Sequence, residues 1–441
     1  MTAGDVSRDG DAPRDAVSGA AGAGLATVLR EWGRIGCIGF GGPPTHIRLL
    51  RQLCVQRRGW IDATEFEDAV AACNLLPGPA STQLAIFCAW RVRGRAGALV
   101  GGAAFIVPGL VVILGLAALF LAGSPPRWVV GAGAGAGAAV PAVAVQAAAG
   151  LIPASWGRHA DRARWSAYLV AGTLAAALLG PWLVLALLGC GSVELILTTI
   201  RATPAARADR SVVAALGSVK VGWVTAAAGK AVAGRATAGK AVAGKASVGK
   251  ACVGKAAAAG LTGGVLAGVA WVAFKVGALS YGGGFVIIPL MQADAVGRYH
   301  WLTGAQFLNA VALGQVTPGP VVQTVAVIGY AAAGVGGGLL ASLVAFSPSF
   351  AFVLLGAGRF DRLRGDRRAR AFLDGAGPAA IGAILGSALT LARALTQPWQ
   401  FAVLAVAGVA LLALRRGVVA TLLAAAAVGV VVVLAGGPLP R

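Results

Sequence analysis

Long apolar stretches alternate with short polar ones along the whole chain. They lie near residues 25–42, 66–90, 96–122, 128–152, 165–180 and 181–200, and again near 260–284, 305–332, 335–357, 371–396, 399–413 and 416–436. Roughly 17–25 apolar residues suffice for a helix to cross a hydrocarbon layer of ~30 Å. Helices and closed barrels alone satisfy their own backbone there. The pattern predicts an all-α integral membrane protein with about six such segments in each half.

The halves are related by duplication. WGRIGCIGFGGPP at 32–44 matches FKVGALSYGGGFV at 274–286 under an offset of 241 residues. The same offset lays Arg34 on Lys275, Trp60 on Trp301, and Pro77, Gly78 and Pro79 on Pro318, Gly319 and Pro320. After a slip of one residue, Gln83 falls on Gln323, Gly94 on Gly334 and Pro108 on Pro348. The expected organisation is a polar tail over 1–24, a first transporter repeat over 25–200, a basic low-complexity linker over 201–259 and a second repeat over 260–441. The tail lacks the basic start and apolar core of a cleavable signal. Within the linker a five-residue period generates G-x-x-x-x-G-K from Gly244 to Lys250, but Ala251 follows where a phosphate-binding loop needs Ser or Thr. A basic cytoplasmic segment resting on anionic lipid headgroups is the simpler reading.

Composition narrows the class. The chain is 58% hydrophobic and 12% charged, with a net charge of +21; its mean hydropathy is +0.79. A soluble globule could not bury so much apolar surface. The basic residues sit in short loops and the linker, which is a membrane pattern, so nucleic acid is not an expected partner. Charge bias also orients the halves. Arg91, Arg93 and Arg95 follow the second segment, whereas 331–338 carries no charge; Arg127 stands alone after the third, against Arg359, Arg362, Arg364, Arg367, Arg368 and Arg370. By the positive-inside rule this predicts two inverted-topology repeats. With the linker held on one side, each half needs an odd number of crossings. LLPGPA at 75–80 and VTPGPV at 316–321 break the second segment, so it is read as a re-entrant hairpin. Broken, re-entrant helices and about ten full crossings result, with an external amino terminus.

The breaks also suggest chemistry. Two prolines around a glycine stop a helix, and a half-helix starting inside the membrane aims free N–H groups and its positive dipole end at one spot. Inverted-repeat transporters use paired discontinuous helices in this way. Pro77, Gly78, Pro79, Pro318, Gly319 and Pro320 are therefore candidate substrate-binding positions. Arg34 and Lys275 are candidates because an intramembrane cation is costly unless paired or functional, and two of them suit a dianion. Thr82, Gln83, Gln315, Thr317 and Gln323 offer hydrogen-bond donors, and Gly41, Gly42, Gly282 and Gly283 permit tight turns. The competing readings are Pro/Gly kinks for packing, an Arg34–Glu31 pair, snorkelling side chains, and polar residues that only pack helices. His46 reads as a satisfied polar group. The six cysteines show no paired spacing and read as small buried hydrophobes. No catalytic group, metal or cofactor is expected.

FGGPPTHI at 40–47, RRGW at 57–60, LLPGPAST at 75–82, YGGGFVIIPLMQ at 281–292 and ALGQVTPGP at 312–320 together resemble the chromate ion transporter superfamily in its long two-domain form. The resemblance implies export of chromate from the cytoplasm across the plasma (inner) membrane of a prokaryote, with sulfate as a look-alike, driven by an ion gradient or by exchange. It implies a small oxyanion and membrane lipid as partners, with a homodimer left open. Ala80, Gln83, the region of Gln52 and Asn309 depart from the family pattern by removing polar or acidic groups, which bears on the coupling ion and cargo. A carrier or channel for another small anion, or a nontransporting membrane scaffold, are the alternatives.

Overall fold

The computed structural model describes residues 23–75, 78–123, 125–159, 161–179, 183–202, 263–280, 287–356 and 367–438. Among the described residues all regular structure is helical. The first repeat contributes α1 (Leu25–Ile38), α2 (Pro43–Arg51), α3 (Ala63–Leu75), α4 (Ala80–Phe120), α5 (Arg127–Arg158), α6 (Arg162–Leu174) and α7 (Leu183–Ala202). The second contributes α8 (Gly263–Leu279), α9 (Ile287–Gln292), α10 (Gly304–Val316), α11 (Thr324–Gly356), α12 (Arg367–Ala392), α13 (Pro398–Gly408) and α14 (Val418–Leu434). Most of the linker and of the arginine-rich loop before α12 lies outside the described residues, as do Pro77, Gly282 and Gly283.

The duplication extends to local geometry. α2 continues into a π-helical stretch at Gln52–Arg57 and α9 into one at Ala293–Arg298. The Trp60 N–H donates to Cys54 O at 2.8 Å, and the Trp301 N–H to Ala295 O at 2.8 Å. α4 kinks at Arg93 (φ −145°, ψ 28°) and Gly94 (φ 61°, ψ −152°). α11 kinks at Ala333 (φ −149°, ψ 30°) and Gly334 (φ 63°, ψ −155°). These glycines occupy a backbone region that side chains resist. Beyond the kink Gly97 backs onto Ala89 and Gly102 onto Ile86, so the two limbs of α4 run antiparallel.

Each repeat opens with two hairpins. α1 has 14 residues, about 21 Å at 1.5 Å per residue, too short for a ~30 Å layer. The chain then turns through Gly41 and Gly42 into α2, where Pro43 and Pro44 fill the first turn without needing backbone partners. At the far end of this leg Arg58 Nη2 donates to Glu31 at 2.7 Å and Trp60 stacks on Trp32 at 6.1 Å. α3 and the first limb of α4 form the second hairpin, closed where Arg91 Nη2 donates to Glu65 at 2.9 Å. The run over 25–42 is thus a 14-residue helix that turns back at a Gly-Gly tip, where one continuous span was expected.

Between repeats, the equivalent long limbs of α4 and α11 run antiparallel: Gly102 meets the Phe350 ring and Gly338 meets Leu114. The closing helices exchange partners, with Gly135 of α5 against Ala425 of α14 and Gly375 of α12 against Cys190 of α7. Among the described residues five helices are long and apolar enough to cross a membrane: Ala80–Phe120, Arg127–Gly157, Leu183–Arg201, Val321–Gly356 and Arg370–Ala392. Val111, Leu343, Leu355, Val406 and Leu434 are each 66–78% exposed, an apolar exterior suited to lipid. The fold is that of a multi-pass helical membrane protein.

Candidate functional site

The two Pro-Gly-Pro breaks meet in the middle of the molecule. Gly78 (φ 120°) and Gly319 (φ 94°) adopt the left-handed backbone that only glycine takes easily. The Gly78 N–H donates to Ser280 O, just past α8, at 2.8 Å; the Gly319 N–H donates to Gly39 O, just past α1, at 3.0 Å. Each repeat's break is therefore tied to the end of the other repeat's first helix. Pro79 and Pro320 stand at the N-caps of the helical segments that follow. Gly42 also reaches across, its Cα facing Val321.

Buried polar atoms collect around these tips. Thr82 Oγ1, Ser280 Oγ, Ser349 Oγ, Gln315 Nε2 and Gln323 Oε1 have no hydrogen-bond partner among the described residues. Such groups cost about 1–3 kcal/mol each when left unsatisfied, so their concentration beside two helix starts is a binding signature. Gln323 Nε2 is committed to Ile106 O at 2.6 Å. Gln83 and Ser349 flank Gly78, where a Cβ would come within 3.3 Å of Ser349 Oγ. Thr317 differs from expectation in role: its hydroxyl donates to Leu313 O at 2.9 Å. His46 is buried, with Nε2 donating to Gly39 O at 2.9 Å and Nδ1 beside Ser81 Oγ at 3.3 Å.

The two symmetry-related cations part company. Lys275 pairs with Asp294, their side chains 17% and 2% exposed, while Asp294 Oδ1 has no partner among the described residues. Leu53 holds the position equivalent to Asp294 in the first repeat. Arg34 is exposed, outside the buried face of α1 formed by Val28, Trp32, Ile35 and Gly36. It has no ion-pair or hydrogen-bond partner among the described residues, and Glu31 pairs with Arg58 instead. The structure gathers Gly42, Gly78, Pro79, Thr82, Gln83, Gln315, Pro318, Gly319, Pro320 and Gln323 and leaves Arg34 aside.

Sequence reasoning missed Ser280, Ser349 and Asp294. A carboxylate two residues after YGGGFVIIPLMQ was a legible signal, since intramembrane acids are rare without a role. Ser280 and Ser349 replace glycines, Gly39 and Gly109, at equivalent positions of the first repeat. Among the described residues no three His, Cys, Asp or Glu side chains cluster as metal ligands. Hydroxyls, one carboxamide nitrogen and two helix starts equip the centre to hold an oxyanion.

A chromate transporter family model matches residues 26–195 and 267–430. A chromate transport protein of Cupriavidus metallidurans is 31% identical over 392 residues, covering 88% of each chain. One from Pseudomonas aeruginosa is 28% identical over 82% of this chain and 79% of its own length. A probable chromate transport protein of Synechococcus elongatus is 26% identical over 84% of this chain and 85% of its own. No solved structure matches. The match to the family model falls on both repeats and spares the linker between them, and on that footing this chain belongs to the chromate transporter family.

Proposed function

We propose that this chain exports chromate from the cytoplasm across the plasma membrane of a prokaryote, accepts sulfate as a geometric mimic, and is driven by an ion gradient or by exchange. The observation that carries the reading is the reciprocal pairing of Gly78 with Ser280 and Gly319 with Gly39, amid buried hydroxyls and a carboxamide nitrogen without partners. A tetrahedral dianion leaving water must recover its hydration from fixed donors, and oriented backbone N–H groups with buried hydroxyls are such donors. The names of the relatives supply the cargo.

The site in this proposal comprises Thr82, Gln83, Gln315 and Gln323 with the six Pro-Gly-Pro positions, Gly41 and Gly42 at a hairpin tip, Gly282 and Gly283, which lie outside the described residues, Thr317 as a structural support, and Ser280 and Ser349. Lys275 supplies the mobile positive charge, exchanging Asp294 for the anion. Arg34 acts from the periphery. We further propose inverted repeats, supported by the antiparallel limbs of α4 and α11, with the arginine-bearing kink of α4 at Arg91, Arg93 and Arg95 facing the cytoplasm.

The test is uptake of labelled chromate and sulfate into everted vesicles with and without a proton gradient. Uptake by vesicles carrying the chain, competed by sulfate and absent from control vesicles, is expected. Equal uptake by both preparations would sink the reading.

A further inference from the structure

A cavity lies away from the central tips. It has a volume of about 230 Å³ and is walled by Phe120, Val130, Gln306, Leu308, Asn309 and Gln400. Phe120 ends the limb of α4 that starts at Gly94, so the cavity lies at the face opposite Arg91, Arg93 and Arg95. At ~30 Å³ per water it has room for about seven waters, enough for a five-atom oxyanion and part of its hydration shell.

The polarity of its lining is sorted. Gln306 Oε1 is occupied by the Thr303 N–H at 2.9 Å, within a capping box at the start of α10. Gln400 Oε1 accepts the N–H groups of Thr396 at 3.1 Å and Gln397 at 3.2 Å, at the start of α13. Backbone donors thus consume the oxygens of these two carboxamides. Gln306 Nε2 is left without a partner among the described residues, as is the amide of Asn309, which fits against the bare backbone of Gly133 and Gly137. Gln400 Nε2 spends one hydrogen on Ala134 O at 3.2 Å and keeps another. Among the described residues none that lines the cavity is charged. With the nitrogens of three carboxamides against the single open oxygen of Asn309, and without charge, it suits an anion that must also leave.

We infer that this cavity is a second anion site, at which the transported oxyanion is held by neutral carboxamide donors at the face away from the arginines before release. The inference rests on the oxyanion reading above and adds where the cargo pauses. Neutral donors bind a dianion more weakly than an ammonium or guanidinium does, which favours release over retention.

The test reads occupancy without transport. Ala305→Cys places a thiol on the cavity wall of the full-length chain; its labelling by an uncharged maleimide, located by peptide mass spectrometry, is followed with sulfate or chloride at equal ionic strength. Ala394→Cys, on the α12 side of the cavity beside Gly304, provides a second reporter. Sulfate should slow labelling at both positions. Adding Gln306→Glu keeps the capping box, which accepts Glu as readily as Gln, but turns the donor into a carboxylate and should weaken the protection by at least about tenfold, the factor worth 1.4 kcal/mol. No sulfate protection at either cysteine, or protection untouched by Gln306→Glu, overturns the inference even where vesicles transport chromate. Protection in a chain that transports nothing leaves this site standing and removes the export reading instead.

Discussion

At the scale of single residues, Lys275 and Asp294 decide most. Removing one partner of a buried ion pair strands the other, at a cost of about 3–5 kcal/mol. Lys275→Gln should therefore reduce the amount of correctly inserted protein, and Lys275→Gln with Asp294→Asn should restore it. Chromate flux per inserted molecule should stay at least about tenfold down in the double variant, a transport loss of ~1.4 kcal/mol. Wild-type flux from that double variant would make Lys275 a structural residue. Arg34 is exposed, so Arg34→Gln should change stability by less than about 0.5 kcal/mol and lower flux less than the Lys275 change does. Arg34→Lys, which keeps the charge but not the planar fork, should be milder still. A larger loss from Arg34→Gln than from Lys275→Gln would reverse the assigned roles.

At the scale of elements, the kinks at Gly94 and Gly334 hold each long helix folded back on its own first limb. Their dihedrals, φ 61° with ψ −152° and φ 63° with ψ −155°, fall where a side chain costs about 1–3 kcal/mol. Gly94→Ala and Gly334→Ala should each lower thermal stability in detergent by a similar amount. An unchanged melting temperature for both would mean the kinks are not fixed by the backbone. Pro-Gly-Pro breaks were legible in the sequence because proline and glycine announce where a helix stops. The α1–α2 hairpin was not. The run over 25–42 reads as one apolar span, and the leg at 43–57 is rich in arginine and reads as a loop. Only Trp60 on Trp32 and Arg58 on Glu31 reveal that the chain comes back. Donor placement was equally hidden: Gln315 and Thr317 look alike in sequence, yet one hydroxyl is spent on Leu313 O while the carboxamide nitrogen is left open.

At the scale of the whole molecule, the proposal of opposed repeats draws its support from the antiparallel packing of α4 on α11. Reporters at Gly94 and Gly334 should fall on opposite sides of the membrane. Signals from one side for Gly94 and Gly334 would contradict the inverted arrangement. The central claim is that the tips of both repeats build one oxyanion path, and flux through the purified chain in sealed liposomes tests it most directly. The account predicts saturable labelled-chromate flux, competed by sulfate, and reduced at least about tenfold, or ~1.4 kcal/mol, by Thr82→Val in one repeat and equally by Ser349→Ala in the other. Unaltered flux in both variants, or no flux from the intact chain, would contradict it.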